Sequence, residues 1–141
     1  MRVSARTEYA CLAMLHLASR HGSDEPVRIR DIASVHEIPQ RFLVQILLQL
    51  KSAGLVASTR GASGGYHLTR PPDEISLAEV MTVVDSTAEE PPTIGSRSAS
   101  AGVLHDVWRE AAEAQQAMLR GITLADLRDR IRGRAERMYY I

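Results

Sequence analysis

With one cysteine, Cys11, in 141 residues, the chain can close no internal disulfide. From a single copy it also cannot supply a four-cysteine zinc site or an all-cysteine iron–sulfur centre. That usage suits a reducing interior. No apolar run reaches the length of a membrane span. The nearest stretch, Tyr9 to Ala18 behind Arg2 and Arg6, imitates a signal-peptide core, but His16 interrupts it and its spacing is helical. It reads as the first core helix, and the chain as cytoplasmic with no membrane partner. There is no internal repeat, and no acid, base and nucleophile fall at catalytic spacing, so the chain does not read as an enzyme. Its length makes about one domain, and 45% apolar with 24% charged residues is the composition of an ordinary globular chain.

Net charge is missing as well, with 17 basic against 17 acidic residues, but the distribution is uneven. Residues 1–70 carry nine Arg or Lys against five acids, and residues 71–100 carry one against six. From Ile38 to Pro72 there is no acidic residue at all, while Arg41, Lys51, Arg60 and Arg70 are basic. Such a stretch can face a polyanion, or can be acid-free by chance.

What is present has the grammar of a helix-turn-helix. Ser4 caps a helix with Tyr9, Leu12, Ala13, His16 and Leu17 inward. Val27-Arg28-Ile29 suits a short strand, and Arg30 to Glu37 a short helix with Ile32, Ala33 and Val35 inward. Pro39 opens a third helix to about Ala53, with Phe42, Leu43, Ile46, Leu47 and Leu50 as its stripe and Gly54 as a left-handed stop. Strand-like Leu55 to Thr59, the turn Arg60-Gly61-Ala62-Ser63-Gly64-Gly65 and the return Tyr66 to Thr69 then make a β-hairpin. A hairpin directly behind a recognition helix is a winged helix, in which the helix enters the major groove and the wing lies on the backbone or an adjacent minor groove. The wing glycines either bring backbone close to phosphate, with Arg60 supplying charge, or only turn the chain.

Ser76-Leu77-Ala78-Glu79 forms a capping box for a helix through about Val84. Residues 86–100 read as a flexible loop. A long helix from about Ala101 carries Val103, Leu104, Val107, Trp108, Ala111, Met118 and Leu119 near one side, a stripe suited to a partner subunit. Thr123 caps a last, Arg-rich helix. The fold class is therefore mainly α with a small hairpin wing, divided as residues 1–85 for DNA binding, the 86–100 loop, and residues 101–141 for dimerisation and the C-terminal helix.

Ser4, Tyr9-Ala10, Asp31-Ile32-Ala33, Phe42-Leu43-Val44-Gln45, Gly54-Leu55-Val56, Arg60-Gly61 with Gly64-Gly65-Tyr66, and Ile122-Thr123-Leu124-Ala125-Asp126-Leu127 together resemble the Rrf-two family of bacterial winged-helix transcription regulators. The resemblance covers nearly the whole chain. It implies a homodimer on an imperfect promoter palindrome, and a signal such as iron–sulfur status, nitric oxide, redox state or cysteine supply. It implies that Arg60 enters the minor groove and that Gln45 faces bases. Arg41 and Val44 depart from the member that governs cluster assembly, which has serine and glutamate there. Arg41 suits either guanine O6 and N7 or a phosphate.

Cluster-bearing relatives place three cysteines ahead of the dimerisation helix, whereas Ser86 to Leu104 has none, so no iron–sulfur cofactor is expected. Glu8 and His105 stand where relatives supply an acidic and a histidine ligand. Each nevertheless reads first as an ordinary helix charge or surface group, and Cys11 first as a small core residue, with a sensor or redox role as the alternative. The expected partners are double-stranded DNA, a second copy and an unidentified small-molecule or protein effector. The alternative is a winged-helix interaction module that regulates a metabolic enzyme.

Overall fold

The computed structural model describes residues 1–85 and 98–139. The first helix, α1 (Ala5–Ser19), begins where the Ser4 hydroxyl accepts from the Thr7 amide and runs through the middle of the core. It packs on every helix of the body and on the hairpin's second strand. Ala10, Ala13, Met14, Leu17 and Ala18 are its buried apolar residues, and Thr7 is buried with them. Tyr9, Leu12 and His16, expected inward, are only half-buried on the flanks. A helix that is apolar nearly all round gives its pattern no phase, and small Ala10 lets neighbours come closest.

Next come α2 (Ile29–His36) and α3 (Gln40–Ser52). Val27, expected in a strand through Ile29, instead makes one antiparallel bridge to Tyr66, and the helix already starts at Ile29. The inward stripe of α2 is Ile29, Ile32, Ala33 and His36. Val35 lies off it and is 65% exposed, contrary to expectation. Likewise α3 buries Leu43, Ile46, Leu47 and Leu50, while Phe42, expected in that stripe, falls off it and is 43% exposed.

Gly54, at φ 80°, ends the helix in the left-handed conformation, and Leu55 drops back into the core. Strands β1 (Val56–Thr59) and β2 (Gly65–Leu68) then pair antiparallel, with Val56 opposite Leu68 and Thr59 opposite Gly65. A 3₁₀ turn (Pro72–Glu74) leads to α4 (Leu77–Val84), capped by the Ser76 hydroxyl. The expected reciprocal box forms only by half, because the Glu79 carboxylate pairs with Arg70 instead.

The loop expected at 86–100 falls mostly outside the described residues; its last three, Ser98 to Ser100, already belong to the cap and start of α5 (Ala99–Arg120). None of the residues of α5 is buried. The chain then re-enters the body. Leu77 donates its amide to the Ile122 carbonyl at 2.8 Å, Leu124 donates to Ile75 at 2.9 Å, and the Leu124 side chain is fully buried. Thr123 and Asp126 cap the last helix, α6 (Leu124–Tyr139), reciprocally. This helix lies on α1, where Arg128 donates to the Ala18 carbonyl at 3.3 Å.

Candidate nucleic-acid interface

Between α2 and α3 the chain turns through Glu37, at φ 53°, and buried Ile38. This presents the start of α3 outward. Arg41 and Gln45, one turn apart, are exposed there, with half-buried Val44 between them. The Arg41 guanidinium lies 4.8 Å from the centre of the Phe42 ring, a cation–π contact that gives the off-stripe phenylalanine a role. Neither α2 nor α3 has a side-chain cap, their N-caps being Arg28 and Pro39. The other four helices are capped by Ser4, Ser76, Ser98 and Thr123 hydroxyls. The positive ends of the two helix-turn-helix elements are therefore left open.

The wing is braced from three sides. Lys51, in the last turn of α3, donates to the Ser58 hydroxyl on β1 at 2.7 Å. Val27 and Tyr66 exchange amide bonds of 2.9 and 2.7 Å. Arg28 donates to the Ala62 carbonyl in the turn. Arg60 stands exposed where the turn begins, and Gly61 follows at φ 108°. A Cβ at Gly64 would strike the Thr59 carbonyl, and one at Gly65 would strike the Val27 carbonyl and come within 2.7 Å of its carbon. These two glycines are thus required by the wing's own backbone. The Tyr66 ring is half-buried against the core.

Arg28 and Arg30 escape sequence reading, because Val27-Arg28-Ile29 looks like a short strand and Arg30 like the ordinary start of the helix behind it. Only the fold brings that segment to the wing. Asp85, which accepts from buried Thr7 at 2.6 Å, and the His16–His36 pair, bridged at 3.1 Å between Nδ1 and Nε2, are likewise long-range partners. Burial first, and then mutual repulsion with His36 and Arg20, lowers His16; burial lowers His36.

Of the candidate sensor residues, Glu8 is exposed in the first turn of α1. Cys11 is half-buried, and burial, followed by the charges of Asp85 and Glu8, pushes its thiol up to about 11. His105 sits on α5, edge-on to Trp108 with ring centres 5.5 Å apart. Among the described residues no three His, Cys, Asp or Glu side chains converge on a metal-sized site. A single thiol held this firmly protonated does not fit a cluster bound by three thiolates of one chain.

The stripe on α5 is open. Val103, Leu104, Val107, Trp108 and Met118 are 63, 51, 53, 59 and 67% exposed, and Ala111 is exposed with them. No described helix is long and apolar enough to cross a membrane.

A helix-turn-helix with an outward recognition face and a braced, arginine-bearing wing defines a winged-helix DNA-binding protein. The profile of the Rrf2 family, described as iron-dependent transcriptional regulators, matches residues 3–130, and the chain belongs to that family of DNA-binding, helix-turn-helix regulators, which are not enzymes. It is 40% identical over 131 residues to Rv1287 of Mycobacterium tuberculosis (strain H37Rv), a protein named provisionally as an HTH-type transcriptional regulator, covering 90% of this chain and 81% of the relative. It is 35% identical over 130 residues to the regulator IscR of Aliivibrio salmonicida, covering 90% and 77%. Among solved structures, CymR, the global cysteine regulator of B. subtilis, superposes with a TM-score of 0.80 at 28% identity, covering 92% of this chain and 97% of that one. T. potens IscR superposes with a TM-score of 0.75 at 31% identity, covering 90% and 85%.

Proposed function

We propose that the protein is a cytoplasmic homodimeric repressor that binds a palindromic promoter site without the three-cysteine iron–sulfur switch. The observation that carries this reading is the shared exposure of Arg41, Gln45 and the Arg60 wing on elements locked together by Lys51–Ser58 and Arg28–Ala62. Gln45 reads bases from α3. Arg41 pairs with guanine or a phosphate. Arg60 enters the minor groove, and Lys51, Gly61, Gly64, Gly65 and Tyr66 complete the wing side. Two copies join through Val103, Leu104, Val107, Trp108, Ala111 and Met118 of α5. The apolar stripe supports this, since it is exposed among the described residues, and twofold symmetry matches a palindrome. The signal then arrives through a small ligand, a partner protein or oxidation of Cys11, with Glu8 and His105 beside those routes as ordinary helix residues.

Footprinting the purified protein on its own promoter region tests this. On the protected site, Arg60→Ala is expected to weaken binding and lower the log–log salt slope by roughly 0.9, the share of one phosphate contact. Gln45→Ala is expected to relax base preference instead. Protein purified without oxygen is expected to be colourless and to bind the same DNA after chelation. A charge-transfer band with stoichiometric iron and sulfide would overturn the cluster-free reading. If neither substitution alters a gel shift, the reading of an interaction module for a metabolic enzyme replaces DNA binding.

A further inference from the structure

Between the start of α2, the start of α3 and the wing turn lies a hollow of about 450 Å³, lined by Arg28, Arg30, Gln40, Ser58, Thr59 and Gly61 among others. No carboxylate lines it. Two other hollows flank the wing, and both are lined by Asp24 and Glu25, beside Arg20 in one and Arg28 in the other. A polyanion strand passing from α3 to the wing therefore meets cations without carboxylates along one route and a mixture of both signs along the other. Arg30 is exposed and, among the described residues, its side chain has no ion-pair or hydrogen-bond partner. Arg28 gives one guanidinium nitrogen, Nη2, to the Ala62 carbonyl. A guanidinium has five N–H donors in a rigid fork, so the remaining nitrogens stay free for a second acceptor.

We propose that this hollow seats a backbone phosphate of the bound DNA between the major-groove segment read by α3 and the minor-groove segment reached by Arg60. Arg30 supplies charge. Arg28 bridges the phosphate to the wing turn, so that seating the backbone and setting the wing are one event. The inference rests on the DNA-binding reading above and adds to it a coupling between Arg28 and Arg60, which are not each other's partners in the structure.

The experiment measures fluorescence anisotropy of the full-length protein on its footprinted duplex from low to moderate salt, for wild type, Arg30→Ala, Arg28→Ala, Arg28→Lys, Arg60→Ala and the Arg28→Ala/Arg60→Ala pair. Far-UV circular dichroism checks folding. Arg30→Ala is expected to lower the salt slope by roughly 0.9 with base preference unchanged. Arg28→Lys, which keeps the charge but loses the fork, is expected to keep the slope and yet bind several-fold more weakly. The double variant is expected to lose less than the product of the two single losses, because Arg60 is already misplaced once Arg28 is gone. A wild type that binds while Arg30→Ala and Arg28→Ala keep its slope would overturn the phosphate seat alone. Strict multiplicativity would overturn the coupling. A wild type that binds no duplex would overturn this inference and the DNA-binding reading together.

Discussion

Gly65 stands against the main chain of Val27, and neither side can give way without breaking the paired amide bonds that tie Val27 to Tyr66. Gly65→Ala is therefore expected to cost roughly 1–3 kcal/mol of stability, in the range of overpacked sites, seen as a lower urea midpoint at unchanged slope. A midpoint within error of wild type would show that Val27 moves freely. The pair Gly64-Gly65 is legible in the sequence as a turn. The reason for it is not, because the obstructing carbonyls belong to Thr59 and to Val27, the latter 38 residues earlier. A similar distance in sequence, 34 residues, hides Arg28 behind Ala62. Cys11 gives the opposite case, since its apolar neighbours Ala10, Leu12 and Ala13 already describe a quiet thiol. With the thiol at about 11, only roughly one molecule in a thousand is thiolate near pH 8. Alkylation of the native protein is expected to be more than tenfold slower than in denaturant, and equal rates would contradict the burial.

Helix α1 touches α2 through His16 and His36, whose rings meet edge to face with centres 5.2 Å apart. Both imidazoles titrate below their ordinary value of 6.5 in the fold, so the unfolded chain binds more protons as pH falls below it. Stability from the pair is whole above 6.5 and drains away as pH falls through the lower folded values. Arg20 adds to the depression of His16 and Asp31 opposes it. The melting temperature is expected to fall between about pH 7.5 and 5.5, and His36→Gln is expected to flatten that dependence; an unchanged profile in the variant would assign it to other groups. Among the elements, the helix-turn-helix and hairpin are legible because Pro39, Gly54 and the wing glycines punctuate them sharply. The facing of α1 is not, since an almost wholly apolar helix records no direction. Val35 and Phe42 mislead for a related reason: each neighbours a buried stripe in sequence, yet stays exposed in the fold.

At the scale of the molecule, and among the described residues, a packed body bears an uncovered strut, α5, whose 22 residues span roughly 33 Å. Its stripe holds the chain's single tryptophan, 59% exposed. Trp108→Glu is expected to yield monomers or aggregates in light scattering, and a wild type that stays monomeric at micromolar concentration would defeat the dimer. Beyond the strut, Leu124 fills the same core as Leu17 and Ile75, and Arg128 closes onto the end of α1. The hole left by a missing Leu124 would cost roughly 2–5 kcal/mol, against about 5–15 for a whole domain. A chain stopped after α4 would lack this wall and is expected to be strongly destabilised. Folding of the helix-turn-helix body is thereby tied to the far side of the strut, because α6 is also one of its walls.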